Sequence, residues 1–308
     1  MPTFEESLNA LAAHQRLKRS QTKQFSDLSP KQLEQFKTVW NSLPDPERIN
    51  ILATLKKHAE EDMLVDFDAI YEMAIEDANA DVRRVAIGAS VDDQSPELLS
   101  LLLKHCANDP EAIVRQAAAE RLGGFAYEAE VGTLPEEDAR RIESALLERV
   151  QSETEEKAVR GAALSSVGYF STERVRVEIQ RALARPELRI SAVRAIGRNI
   201  DPIWNRTLEE QMGSEDPAIR REAAEAAANY EDTVETLANL VDDPELAVRL
   251  AAIRSLGEIG GAEAHDVLIY CYESSDPTMR AAAADALAEM EAAEDPLGSL
   301  ANSQDDEE

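Results

Sequence analysis

Aromatic residues make up only 5% of this 308-residue chain, and cysteine occurs twice. A core cannot then be built around Trp, Tyr and Phe; Ala, Leu, Ile and Val must fill it, which suits closely packed helices. Cys106 and Cys271 are too few for a disulfide framework and lie several sequence repeats apart, beyond bonding reach, so two unpaired thiols and a cytoplasmic location are expected. No apolar run approaches the length of a membrane span, and the N-terminus lacks the charged-then-apolar order of a signal peptide, so no membrane partner is expected. Positive charge is scarce as well: 32 Lys and Arg stand against 61 Asp and Glu, a net charge of −29. A field of that sign repels nucleic acid and keeps an Ala-rich surface soluble.

Catalytic signatures are also missing. The four histidines, His14, His58, His105 and His265, are scattered and none is followed by Glu. His105-Cys106 is the nearest thing to a metal-ligand pair, but adjacent helical residues point about 100° apart, so no metal is expected. Neither a glycine-rich phosphate loop nor a nucleophile motif is present, and no cofactor or catalytic residue is expected.

What is present is a repeat. An apolar residue followed by Arg opens an Ala-rich helix seven times, at Arg83, Arg115, Arg160, Arg189, Arg220, Arg249 and Arg280. The intervals are 32, 45, 29, 31, 29 and 31 residues, a fixed period with one insertion. Asp-Pro recurs at 45, 109, 201, 216, 243 and 276. There Asp accepts from the free N–H groups of a helix start, where Pro needs no donor. Gly123, Gly168, Gly197 and Gly257 fall where a helix is expected to end and are assigned a left-handed cap. This pattern predicts first helices near 66–77, 96–106, 136–150, 172–183, 202–212, 232–240 and 262–273. Second helices are predicted near 80–90, 110–122, 156–168, 187–198, 217–229, 245–257 and 277–290.

Three regions follow. Residues 1–29 read as an N-terminal appendage, a short amphipathic helix carrying Phe4, Leu8 and Leu11 and then a polar linker over 19–24. Residues 30–290 form the repeat array, opened by a hairpin in which Trp40 plugs the end, with an inserted loop near 124–135. Residues 291–308, ending Asp305-Asp306-Glu307-Glu308, read as an acidic disordered tail.

The unit Asp-Pro-x-x-x-Val-Arg-x-Ala-Ala-x-x-x-Leu-Gly resembles the HEAT repeat, in particular the short bacterial and archaeal kind related to phycobilisome-lyase HEAT-like repeats. The resemblance covers roughly 30–290. It implies an all-α, right-handed α-solenoid of about eight antiparallel hairpins, with second helices on the concave side. It also implies an Asp–Arg ladder between neighbouring second helices. Asp109 with Arg115 and Asp243 with Arg249 have the family spacing of six; Asp216 with Arg220 and Asp276 with Arg280 are two residues shorter, and Arg185 stands where the fourth hairpin should carry Asp. Because they track the period, the seven Arg are read as scaffold rather than as ligand contacts.

Departures from the period are then the better functional candidates. Counted from the apolar residue before each ladder Arg, the sixth and tenth positions of a second helix share a face. In the middle of the array these positions carry Ser165, Tyr169, Arg194 and Arg198, a polar-basic strip within a segment holding eight Arg against four acids between Glu173 and Arg206. Such a strip would suit a protein or peptide partner, an acidic one in particular. Phe125 and Tyr127 in the insertion are a second candidate, with packing back onto the array as the favoured role. The resulting expectation is a non-enzymatic protein-interaction scaffold, monomeric, without cofactor, metal, nucleic acid or membrane partner. The alternative is a lyase-like or chaperone-like factor acting on a tetrapyrrole-bearing or modified protein.

Overall fold

The computed structural model describes residues 2–294, and among these every regular element is helical. The chain divides into two compact units, Met1–Ser166 and Val167–Glu308.

The first unit opens with α1 (Phe4–Ala12), α2 (Arg19–Thr22), α3 (Pro30–Trp40) and α4 (Asp45–Glu61). Hairpins α5 (Asp68–Ile75) with α6 (Ala80–Ala89) and α7 (Pro96–Asn108) with α8 (Ala112–Glu130) come next, then α9 (Glu136–Gln151) and α10 (Lys157–Val167). The second helices α4, α6 and α8 pack in succession, with α5, α7 and α9 beside them. The second unit repeats the arrangement. Its first helices are α11 (Glu173–Leu183), α13 (Asn205–Met212), α15 (Val234–Leu240) and α17 (Gly261–Tyr272); its second helices are α12 (Arg189–Asn199), α14 (Pro217–Ala226), α16 (Leu246–Ile259) and α18 (Pro277–Glu294). The second helices again stack in sequence. Five of the Asp-Pro aspartates, Asp109, Asp201, Asp216, Asp243 and Asp276, each accept the backbone N–H two residues ahead; Asp45 does not, because it lies within α4 and accepts from Arg48 and Asn79 instead.

Four sequence expectations change. The stretch 19–24 is helical rather than a linker, because Thr22 is buried and bonds the His58 ring at 2.7 Å. Phe4, Phe25, Phe36 and Trp40 form a chain of ring contacts, with centroids 6.0, 5.1 and 5.8 Å apart. Trp40 is therefore covered by the N-terminal residues and donates its indole N–H to Asp77 at 2.8 Å. The loop expected at 124–135 is helix as far as Glu130, since Phe125 is fully buried beneath the Arg121 guanidinium, 4.9 Å from its ring. Finally, Gly123, Gly168, Gly197 and Gly257 are not left-handed caps; the positive-φ glycines are Gly132, Gly260 and Gly261. They are points of close approach: a Cβ on Gly168 would lie 2.6 Å from the Ala195 carbonyl, and one on Gly197 2.9 Å from the Ala226 Cα. The tail expected over 291–308 lies outside the described residues apart from its first four, which continue α18.

Candidate binding surface

The seven repeat arginines reach backward along their own chain. Nη1 of Arg83, Arg115, Arg220, Arg249 and Arg280 donates to the carbonyl six residues earlier, at 2.7–2.9 Å. Arg189 does so through Nε to Leu183, whereas Arg160 reaches ten residues back to the Val150 carbonyl. In Arg83, Arg115, Arg220 and, more loosely, Arg249, the other edge of the guanidinium reaches forward to a carboxylate in the next repeat. Arg83 grips Asp109 at 2.9 and 2.7 Å, and Arg220 grips Asp243 at 2.7 and 2.9 Å. One planar fork thus closes its own interhelical turn and fastens the next, a geometry that Lys could not reproduce.

The acid does not sit at one sequence position. Arg115 pairs with Glu155, which Arg149 also contacts, and Arg48 pairs with Asp77 one step before the repeat becomes recognisable. Arg249 stands 3.8 Å from Asp276, a looser step. Within a repeat, Asp109 and Asp243 offer their side chain to the preceding Arg and their carbonyl to their own. Ser214 and Ser274 replace Asp at the carbonyl position, leaving Asp216 and Asp276 two residues on as helix caps. For Asp109 burial raises the carboxyl pKa, but bonds from Arg83, the Glu111 amide and His105 outweigh it and hold the group below the usual carboxylate range. The hydrogen bond and charge of Arg220 hold Asp243 low. A second, uncharged ladder secures the helix ends: Asn199 donates to the Gly168 and Phe170 carbonyls, and Asn229 to that of Gly197.

The polar-basic strip is mostly engaged within the fold. Arg194 makes a two-pronged ion pair with the buried Glu222 at 2.7 and 2.6 Å, and Arg198 lies over the Tyr169 ring at 5.1 Å. Among the surrounding arginines, Arg176 bonds Asp201, Arg181 bonds Glu178 and Arg206 bonds Glu210. Ser165 is buried at the end of the first unit. The strip therefore brings Tyr169 and Arg198 together but commits Arg194 to Glu222, and an acidic partner loses the support that these charges gave. Reversing Arg194 to Glu would set a second carboxylate against Glu222, so such a variant cannot isolate binding from folding. Phe125 is core, and Tyr127 is half exposed on the last turns of α8.

The surface that stacking leaves accessible is clearest in the second unit. Between α16 and α18 the sixth and tenth positions, Arg254, Glu258, Asp285 and Glu289, line a groove of about 270 Å³ floored by Leu250 and Ala286.

His105 bonds Asp109 at 2.8 Å, as part of the ladder. Cys106 is buried and its thiol is pushed up to about 12, chiefly by burial; Cys271 is pushed up to about 11 for the same reason. Among the described residues no group of three His, Cys, Asp or Glu could hold a metal ion, and no helix is long and apolar enough to cross a membrane.

No curated protein matches the chain significantly. Solved structures that resemble it include the Escherichia coli protein YibA, at 16% identity over 90% of this chain and 99% of that one, with a TM-score of 0.48. Importin beta is 14% identical over 93% of this chain and 46% of that one, with a TM-score of 0.48. Human deoxyhypusine hydroxylase is 15% identical over 92% and 97%, with a TM-score of 0.35. The family described as HEAT repeats matches residues 175–245, 205–288 and 233–308, and the HEAT repeat family matches 98–128. These matches extend over more than half of the sequence and fall on the helix pairs that the Arg ladder joins, so the chain belongs to the HEAT-repeat family.

Proposed function

We propose that this protein is a non-enzymatic interaction scaffold that holds a protein or peptide against the exposed face of its second helices. HEAT-repeat solenoids commonly serve as protein-interaction scaffolds and are typically not enzymes. The observation that carries the reading is the groove between α16 and α18. Its charged side chains occupy the helix positions that neither the ladder nor the Gly–Ala contacts use. A residue spent on stacking is constrained by the fold, whereas Arg254, Glu258, Asp285 and Glu289 are open to selection for a partner. Two buried, unpaired thiols suit a reducing compartment, so a cytoplasmic site of action belongs to the same reading. No observation favours the lyase-like alternative.

A photo-activated crosslinking residue placed in the intact protein at Asp285, with Asp266 on α17 as the control, tests this in cells. The scaffold reading expects a discrete protein adduct from Asp285 that disappears when Arg254 and Glu289 are changed to Ala, and none from Asp266. Equal labelling at both positions, or none at Asp285, would overturn it.

A further inference from the structure

One rung of the arginine ladder is built differently from the others. At Arg83, Arg115 and Arg220 the Nε and Nη2 edge is held by a carboxylate of the next repeat, at 2.7–3.3 Å. Arg249 keeps the backward bonds, from Nη1 to the Asp243 and Pro244 carbonyls at 2.7 and 3.1 Å. Its Nε, however, is buried without a hydrogen-bond partner, and its Nη2 lies 3.8 Å from Asp276, beyond hydrogen-bond reach.

The cause is one residue in the following turn. Ser274 occupies the place of Asp109 and Asp243: its carbonyl receives the Arg six residues on, and its side chain receives the amide two residues on. Asp in that place has a second oxygen for the Arg of the preceding repeat. Ser has one oxygen on a shorter side chain, and in Ser274 it faces the Asp276 amide at 3.2 Å. Asp276 caps α18 instead, accepting the Thr278 amide at 2.8 Å. The Arg189 step also meets a serine, Ser214, in the next turn, but there Arg189 turns Nε back to the Leu183 carbonyl. Arg249 does not turn back.

Arg249 lines a pocket of about 580 Å³, walled on its apolar side by Val241, Tyr270 and Met279. Tyr270 is 59% exposed, a broad apolar face beside the guanidinium. Asp242, Glu273 and Asp276 stand around the same pocket, whereas Asp243 is already paired with Arg220. Unmatched guanidinium donors favour an acceptor, and the acceptor that this fork takes at three other steps is a carboxylate. The rim selects the rest of the ligand: one cation among three carboxylates repels a bare anion, so an acid that binds here must carry basic neighbours.

We propose that this pocket receives a Glu or Asp side chain of a partner polypeptide, which gives Arg249 the carboxylate that Ser274 does not, while flanking Lys or Arg residues meet Asp242, Glu273 and Asp276. The pocket shares no lining residue with the groove of Arg254 and Asp285, so neither reading depends on the other.

The probe is acetyl-Lys-Leu-Glu-Leu-Lys-amide, titrated into the full chain by calorimetry, with acetyl-Lys-Leu-Gln-Leu-Lys-amide as control. Saturable binding of the Glu peptide is expected, at least about tenfold tighter than that of the Gln peptide, which cannot form the charge-assisted pair. Ser274→Asp is the decisive variant, because it offers Arg249 a carboxylate from within the chain, as Asp243 does for Arg220. It should raise the urea midpoint and weaken the Glu peptide by at least about tenfold, whereas Ser274→Ala should leave the peptide bound. No saturable binding, equal affinity of the Gln peptide, undiminished binding to Ser274→Asp, or equal loss in Ser274→Ala would overturn the proposal. So would displacement of the peptide by sodium phosphate beyond that by sodium chloride at matched ionic strength, which would indicate a phosphate site.

Discussion

Removing the Asp109 carboxylate should be among the most damaging single changes available outside the apolar core. In the native fold it receives Arg83 Nε and Nη2 at 2.9 and 2.7 Å, His105 Nδ1 at 2.8 Å and the Glu111 amide at 3.0 Å. The side chains of Arg83 and Asp109 are 9% and 2% exposed. Asp109→Ala therefore leaves a buried guanidinium with two empty donors, and breaking such a pair from one side costs about 3–5 kcal/mol. Losing the bond from the Glu111 amide in the turn before α8 adds about 1 kcal/mol. Arg280→Ala, which removes one exposed bond to the Ser274 carbonyl, should cost less than about 1 kcal/mol. Urea unfolding gives the two totals. Hydrogen exchange should show the Asp109→Ala loss concentrated in α6, α7 and α8, because repeat arrays lose order locally. The pH dependence has a definite sign. The folded pKa of Asp109 lies below its unfolded value, so the contribution is complete at neutral pH and disappears as pH falls through the folded value. The gap between wild type and Asp109→Ala should thus be flat near neutrality and close only in acid. A cost below about 1 kcal/mol, equal to that of Arg280→Ala, would refute the view that the ladder fastens the stack.

Gly197→Ala should destabilise by about 1–3 kcal/mol, since the new methyl meets the Ala226 backbone and α12 and α14 must separate; a melting point at or above wild type would contradict the close-approach role. Asp68→Asn should have the opposite effect. Burial, and then Asp66, Asp93, Glu72 and Asp92, raise its folded pKa to about 7, so its contribution is complete below the unfolded value and declines as pH rises through 7. The variant should match wild type near pH 4 and exceed it near pH 8, by on the order of 1 kcal/mol once solvent screening is allowed for; equal stability at both pH values would remove the repulsive cluster from the account.

The helices were legible because each carries its own punctuation. Asp-Pro starts a helix through local hydrogen bonds, and apolar residues at helical spacing mark its buried face whatever the neighbours do. The failures share one cause. Gly123-Gly124 reads locally as a stop, yet α8 continues because Phe125 has a fully buried seat and Arg121 reaches the Ser90 carbonyl, 31 residues away. Residues 19–24 read as linker because the partner of Thr22, the His58 ring, and that of the adjoining Phe25, the Phe36 ring, lie in later helices. Arg194 reads as free because Glu222 is 28 residues on, and Glu155 was missed as a ladder acid because the insertion moves it out of the period.

By itself the sequence determined the repeat, its helices, the scaffold role of the periodic arginines and the HEAT-repeat family. All of these follow from interactions within a few residues or from a spacing that recurs. Only the tertiary structure decided which carboxylates the ladder arginines hold, why the glycines are small, which arginines are already paired, and which acids crowd Asp68. Those depend on which side chain the neighbouring repeat places within about 3 Å, and no period in the chain encodes that distance.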